Sequence, residues 1–246
     1  MTQAVGEPLA SSRDPANSPL WPSMVDAYLG AAPVAFDPRV KVLLPPVTED
    51  QTQVPLTVDA RGLDGPVDEI LVIADLNPFP LTLRLTPVAA APFVALRMKI
   101  EQGTAIHAAV RRGGEWRVGG AYLDAAGGGC SVKPPGLARA DLSGAGQIRA
   151  RAWADGADGT RLRFRISHPM DNGMIPGVPA YFIETVEIAD AAGAPLARLA
   201  LSEAVAPDPV LTLLVRAAGG PLTIRARDNN GGDFRGEAPP PGGRRP

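Results

Sequence analysis

The chain has 246 residues, with 27 Gly, 27 Pro, 5% aromatic residues and a formal net charge of −2 at pH 7. At roughly 100–200 residues per domain this allows one large or two small domains, and no basic block inside a folded segment supports nucleic-acid binding. One cysteine, Cys130, excludes an intrachain disulfide and a multi-cysteine metal site. The two histidines, His107 and His168, are too scattered for a zinc constellation, so no metal or cofactor is expected.

In chain order, residues 1–19 are rich in Ala, Ser and Pro and read as disordered. They lack the charged and apolar regions of a secretory signal, which leaves a cytoplasmic chain or one whose signal has been removed. Leu20 to Leu29 reads as one short helix with Ser23 as N-cap, Gly30 as its stop and Trp21 pinning it to the body. Short apolar or alternating runs follow at 40–44, 54–60, 69–75, 81–85, 93–100, 106–110 and 116–123. Seven strands at this spacing, with turns such as Gly113-Gly114 between them, predict an antiparallel β-sandwich. A second set at 147–153, 160–166, 181–188, 197–201, 210–215 and 222–226 predicts another, with Asp158-Gly159 as a hairpin turn. No run of roughly 18 apolar residues is present, so no membrane span is expected.

The expected organisation is all-β: two immunoglobulin-like β-sandwich domains joined by a Gly-rich cysteine arm. The segments are 1–24 (disordered or loosely docked), 25–126 (first sandwich), 127–146 (arm and linker), 147–236 (second sandwich) and 237–246 (disordered tail). Cys130 stands behind Gly127, Gly128 and Gly129 and ahead of Pro134-Pro135. Glycine gives the backbone wide freedom without side-chain bulk, so the stretch is either a linker holding a passive cysteine or an arm presenting an exposed thiol. Four residues from Ala126 to Gly129 span at most about 14 Å when extended, enough to reach the floor of a cleft. A free thiol has a pKa of about 8.5, and Lys133 would favour its thiolate modestly.

Two sets of motifs resemble a known family. Ser167-His168-Pro169-Met170-Asp171-Asn172-Gly173, Pro179-Ala180-Tyr181-Phe182-Ile183 and Asp228-Asn229-Asn230-Gly231 resemble SoxZ. Ile73-Ala74-Asp75-Leu76-Asn77-Pro78, Leu96-Arg97-Met98 and above all Gly128-Gly129-Cys130 resemble SoxY. SoxY and SoxZ are the subunits of the sulfur-carrier protein of the bacterial thiosulfate-oxidising (Sox) system, and the chain looks like their fusion. The resemblance implies two immunoglobulin-like sandwiches in contact, a periplasmic location, and a carrier cysteine, Cys130, that holds persulfide and thiosulfonate adducts while partner enzymes act on them. SoxY ends in Gly-Gly-Cys-Gly-Gly, whereas here Ser131, Val132, Lys133 and a whole domain follow. The arm must therefore enter a partner as a doubled loop. The partners implied are Sox-type sulfur-oxidation enzymes or a quinoprotein dehydrogenase system.

On this reading the protein is not an enzyme. A non-covalent adaptor with a passive cysteine and a thiol enzyme using His168 as base are the alternatives. His168 reads more readily as packed or bonded to backbone, His107 as structural, and Asp75 and Asn77 as turn formers. Asp228 to Gly231 reads as a hairpin turn, since it lacks the rest of a calcium loop. An exposed lone thiol could also link two copies by a disulfide through Cys130.

Overall fold

In the computed structural model the described residues are 13–131, 144–156, 159–216 and 220–241. Among these residues one helix, α1 (Trp21–Tyr28), precedes fifteen strands. The first half contributes β1 (Val34–Phe36), β2 (Lys41–Leu43), β3 (Val54–Asp59), β4 (Glu69–Ala74), β5 (Leu81–Thr86), β6 (Ala90–Met98), β7 (Thr104–Arg112) and β8 (Glu115–Leu123). The second contributes β9 (Ile148–Asp155), β10 (Gly159–Ile166), β11 (Ile183–Ala189), β12 (Pro195–Leu201), β13 (Val210–Arg216), β14 (Leu222–Asp228) and β15 (Asp233–Ala238).

Alternation dictates most of these strands. In β10, Thr160, Leu162, Phe164 and Ile166 are buried while the arginines between them point outward. β4 differs, being buried without a break from Ile70 to Ala74. Its Ile70, Val72 and Ala74 face the core between the sheets, whereas Leu71 and Ile73 face a smaller cluster with Trp21, Phe36 and Trp116 under α1. A strand covered on both faces reads as a continuous apolar run.

The fold is all-β with two immunoglobulin-like halves, and both of its sheets pass from one half into the other. The larger sheet has the order β1-β8-β7-β4-β5-β12-β11-β14-β15, the smaller β2-β3-β6-β13-β10-β9. At the seams β12 pairs with β5, setting Leu199 opposite Leu85 and Leu201 opposite Leu83. Likewise β13 pairs with β6, setting Leu213 opposite Val94. One core therefore spans both halves, and no sheet edge is left open where they meet.

Helix α1 starts at Trp21, with Leu20 in the cap position and no side-chain cap, rather than at the expected Ser23. Pro22 in the first turn accounts for this, because proline is pre-shaped for that turn and has no N–H to satisfy. Gly30, at φ 67°, ends the helix as expected. The hairpin signal at Asp158 lies outside the described residues, although β9 and β10 pair as predicted. Two strands are additional to the expected set. β1 is three residues long and parallel to β8, and β15 extends to Ala238, which is fully buried at the expected start of the tail.

Candidate functional site

After β8 the chain turns back along the segment that follows β6. Gly128 donates its N–H to the Glu101 carbonyl at 2.8 Å and Gly129 to the Ile100 carbonyl at 3.0 Å. The glycines are needed for this approach: a Cβ on Gly127 would lie 2.7 Å from the Glu101 carbonyl oxygen, and one on Gly129 would run into the carbonyl oxygens of Gln51 and Ile100. Asn77 fixes the receiving segment, its amide donating to the Lys99 carbonyl at 2.8 Å and its Oδ1 accepting the Glu101 N–H at 3.0 Å. From the other half the Ala204 carbonyl accepts the Lys99 N–H at 2.7 Å.

Cys130 is thereby seated between the two halves. Glu101 Oε2 accepts the N–H groups of Cys130 (2.9 Å) and Ser131 (3.0 Å), and Oε1 accepts the Ser131 hydroxyl at 2.7 Å. From the opposite side the Asn172 amide donates to the Cys130 carbonyl at 2.7 Å. The cysteine is 2% exposed. Burial pushes the thiol up to about 11, against the pull of the Lys99 ammonium, while the Glu101 carboxylate adds to the rise. Lys99 is itself buried and donates to the Met170 carbonyl at 2.5 Å. Desolvation draws its ammonium down to about 8, with Cys130 and Asp171 opposing. A lone thiol held near 11 is almost wholly protonated at neutral pH and a poor nucleophile in this position.

Residues 25–130 match the family of Sulfur oxidation protein SoxY, and residues 148–239 that of Sulphur oxidation protein SoxZ. The chain is a SoxY–SoxZ fusion. The SoxY match ends on Cys130 itself, and together the two matches take in both halves of the fold. Both are families of sulfur oxidation proteins. Among solved structures the chain is similar to the sulfur carrier protein SoxY from Chlorobium limicola f thiosulfatophilum, at 19% identity and a TM-score of 0.38, over 43% of this chain and 94% of that one. It is also similar to a glycosyl hydrolase family 2 member from Bacteroides cellulosilyticus DSM 14838, at 14% identity and a TM-score of 0.24, over 80% of this chain and 28% of that one. No curated protein matches the chain. Among the described residues no helix is long and apolar enough to cross a membrane.

In the SoxZ half, the loop that carries Asn172 is set by His168. Its N–H donates to Asp208 Oδ1 at 3.0 Å, and its Nδ1 accepts the Met170 N–H at 3.2 Å, which assigns the ring proton to Nε2. Nε2 lies 3.7 Å from Asp228 Oδ2 and has no hydrogen bond. The ring packs on Tyr181 at 4.3 Å. Burial draws His168 down to about 4 despite Asp228, so it is neutral. In the SoxY half His107 has the opposite surroundings, with Nδ1 2.9 Å from Asp75 and Nε2 3.0 Å from Asp14. Burial works against its charge, but hydrogen bonds to the two carboxylates outweigh it and raise its pKa. Gly120 makes room, since a Cβ there would lie 2.8 Å from the ring.

Several expectations are corrected by this geometry. The thiol is not exposed on a free arm, because Glu101 and Asn172 hold its backbone down and the two halves cover it. A disulfide-linked homodimer through Cys130 is not supported for the same reason: the thiol is buried and free. His168 does not pair with Cys130, its bonds going to Asp208 and Met170. Lys133 lies outside the described residues, and the cation acting on the thiol is Lys99. Asp75 and Asn77 do more than form a turn, since one holds His107 and the other braces the seat of Cys130. Asp228 to Gly231 makes the expected hairpin turn between β14 and β15. Lys99, Glu101 and Asn172 were missed by the sequence reading. The one available signal was that Asn172 belongs to the His168–Gly173 motif, whereas Lys99 is a polar position of the expected 93–100 strand and Glu101 lies just beyond it.

Proposed function

We propose that Cys130 is the covalent carrier, accepting a sulfur-containing group and presenting it to partner enzymes of periplasmic sulfur oxidation. The observation that carries this reading is the position of the chain's only cysteine. It closes the SoxY match behind three glycines and is gripped by one residue from each half. The buried form is a resting state: a pKa near 11 against an ordinary value of about 8.5 lowers the thiolate fraction by roughly two and a half powers of ten. Loading therefore follows release of the arm. Joining the thiolate to a thiosulfate-type donor forms an S–S bond and removes two electrons, which a partner enzyme must take up. Because the chain continues beyond Cys130, that partner has to admit a doubled loop, which fits a Sox-type enzyme with a wide cleft or a quinoprotein dehydrogenase system.

Intact-protein mass spectrometry on natively purified material, without reductant, tests the proposal. Reductant-sensitive additions of sulfur or of a thiosulfate-derived group that map to Cys130 are expected, and a Cys130→Ser chain should carry none. An unmodified thiol that also resists tetrathionate and polysulfide would replace the carrier with a non-covalent adaptor of two immunoglobulin-like domains.

A further inference from the structure

The outward face of β9 and β10 carries Arg149, Arg151, Arg161, Arg163 and Arg165. Antiparallel register sets Arg149 directly opposite Arg165 and Arg151 directly opposite Arg163. Like charges placed directly opposite on one sheet face destabilise it, and folding does not require them, because the inward residues Leu162, Phe164 and Ile166 supply the core. Compensation is partial. Arg165 pairs with Asp208 at 2.7 Å and Arg161 lies 3.9 Å from Asp155, while Arg151 and Arg163 have no ion pair among the described residues. The chain holds 24 basic residues, five of them here, against 26 acidic ones, so this face stands out from an otherwise acidic molecule.

Protection of an exposed sheet edge is the simpler explanation for charged residues on a strand. It covers Arg149 and Arg151, since β9 ends the smaller sheet, but not the arginines of β10, which lies inside it between β9 and β13. A shallow groove of about 430 Å³ runs along the face, with Trp153 and Val210 beside the arginines. Arginine next to an aromatic side chain is the composition of interface hot spots.

We propose that this arginine face is a docking surface for an acidic protein. The patch is compact. Successive outward residues on a strand lie roughly 7 Å apart and opposed residues about 5 Å apart, so two arginine rungs match a small cluster of carboxylates on a folded surface rather than a long polyanion. One end of the face is also linked to the cysteine seat through Asp208. Asp208, which binds Arg165, accepts the His168 N–H as well, and the loop beginning at His168 delivers Asn172 to Cys130. A protein seated on the arginines would lie beside the arm. That it is the enzyme working on Cys130 rests on the carrier reading above.

The test compares the full chain with Arg151→Glu/Arg163→Glu and the milder Arg151→Gln/Arg163→Gln, all carrying Cys130→Ser so that carrier chemistry plays no part. Fluorescent hexaglutamate peptide is the probe, with a 20-nucleotide single-stranded DNA as comparator. Binding of the peptide is expected to weaken at least tenfold in the Glu variant and several-fold in the Gln variant. It should also weaken from 50 to 200 mM salt, as a charge-driven contact must. The Gln variant should melt no lower than the parent, because an opposed like-charge pair has been relieved. Equal peptide binding by parent and variants overturns the proposal. Tighter binding of DNA than of peptide, lost in the same variants, also overturns it and makes the face a nucleic-acid surface. Failure of the carrier reading would appear separately, as an unmodified Cys130 in the mass measurement with peptide binding intact.

Discussion

The two histidines of the chain are both buried, one in each half, and their pKa values are shifted in opposite directions. In the SoxY half both ring nitrogens of His107 meet carboxylates at 2.9 and 3.0 Å, and the ring lies against Trp21 at 4.1 Å. In the SoxZ half His168 has a carboxylate only at 3.7 Å, too far to bond, and one nitrogen already accepts a backbone N–H. Burial alone neutralises a histidine, and only short hydrogen bonds to carboxylates reverse that. The cysteine seat divides along the same line. Its SoxY wall holds Lys99 and Glu101, the two charges that act on the thiol, while the SoxZ wall offers the Asn172 amide to the Cys130 backbone and sets Asp171 near Lys99.

Breaking the charged side should have the largest effect. His107→Leu takes the hydrogen-bond partner away from the buried Asp75 carboxyl, and removing one partner of a buried pair costs about 3–5 kcal/mol. Urea unfolding measures this, and a loss below about 1 kcal/mol would show that Asp75 does not depend on the ring.

The neutral side makes a prediction of opposite sign in pH. His168 falls to about 4 from an ordinary value near 6.5, so its contribution is present above about 6.5 and is lost as pH falls through 4. The amount is of order 3 kcal/mol. His107, raised, contributes fully below about 6.5 and loses that contribution as pH rises through its folded value. Stability against pH should therefore lose its acid limb of this origin in His168→Gln and its alkaline limb in His107→Gln. Identical profiles for the two variants would remove the distinction.

The seat itself sharpens the contrast. Gly129→Ala cannot be accommodated against the Gln51 and Ile100 carbonyls, so the arm should leave its seat and the thiol alkylate roughly a hundredfold faster at pH 7.5, as the thiolate fraction recovers. Glu101→Gln keeps the shape but turns charged hydrogen bonds into neutral ones. A loss of about 1.4 kcal/mol, or tenfold faster alkylation, is expected. Unchanged rates in both variants would mean that the arm is not held by these contacts.

Local pattern was enough to read the strands, the two-part all-β plan and the Gly-Gly-Cys stretch, because side-chain alternation and glycine spacing act between near neighbours. The SoxY and SoxZ resemblances were legible too, since their motifs are contiguous. β15 was overlooked because Gly236 interrupts its pattern, and the missing Cβ is what lets Ile148 pack there. The site was legible only in its centre, Cys130. Strand periodicity gives Lys99 and Glu101 no special place, and Lys99 becomes buried only because Met170 and Ala204 of the other half close over it. The arginines of β9 and β10 were visible one by one, but their face exists only through antiparallel register. Sequence by itself determined which residues alternate and where the chain can bend. Tertiary structure alone decided the continuity of the sheets, the burial of the thiol and the direction in which each histidine's pKa moves, because these depend on residues distant in the chain meeting within a few ångströms.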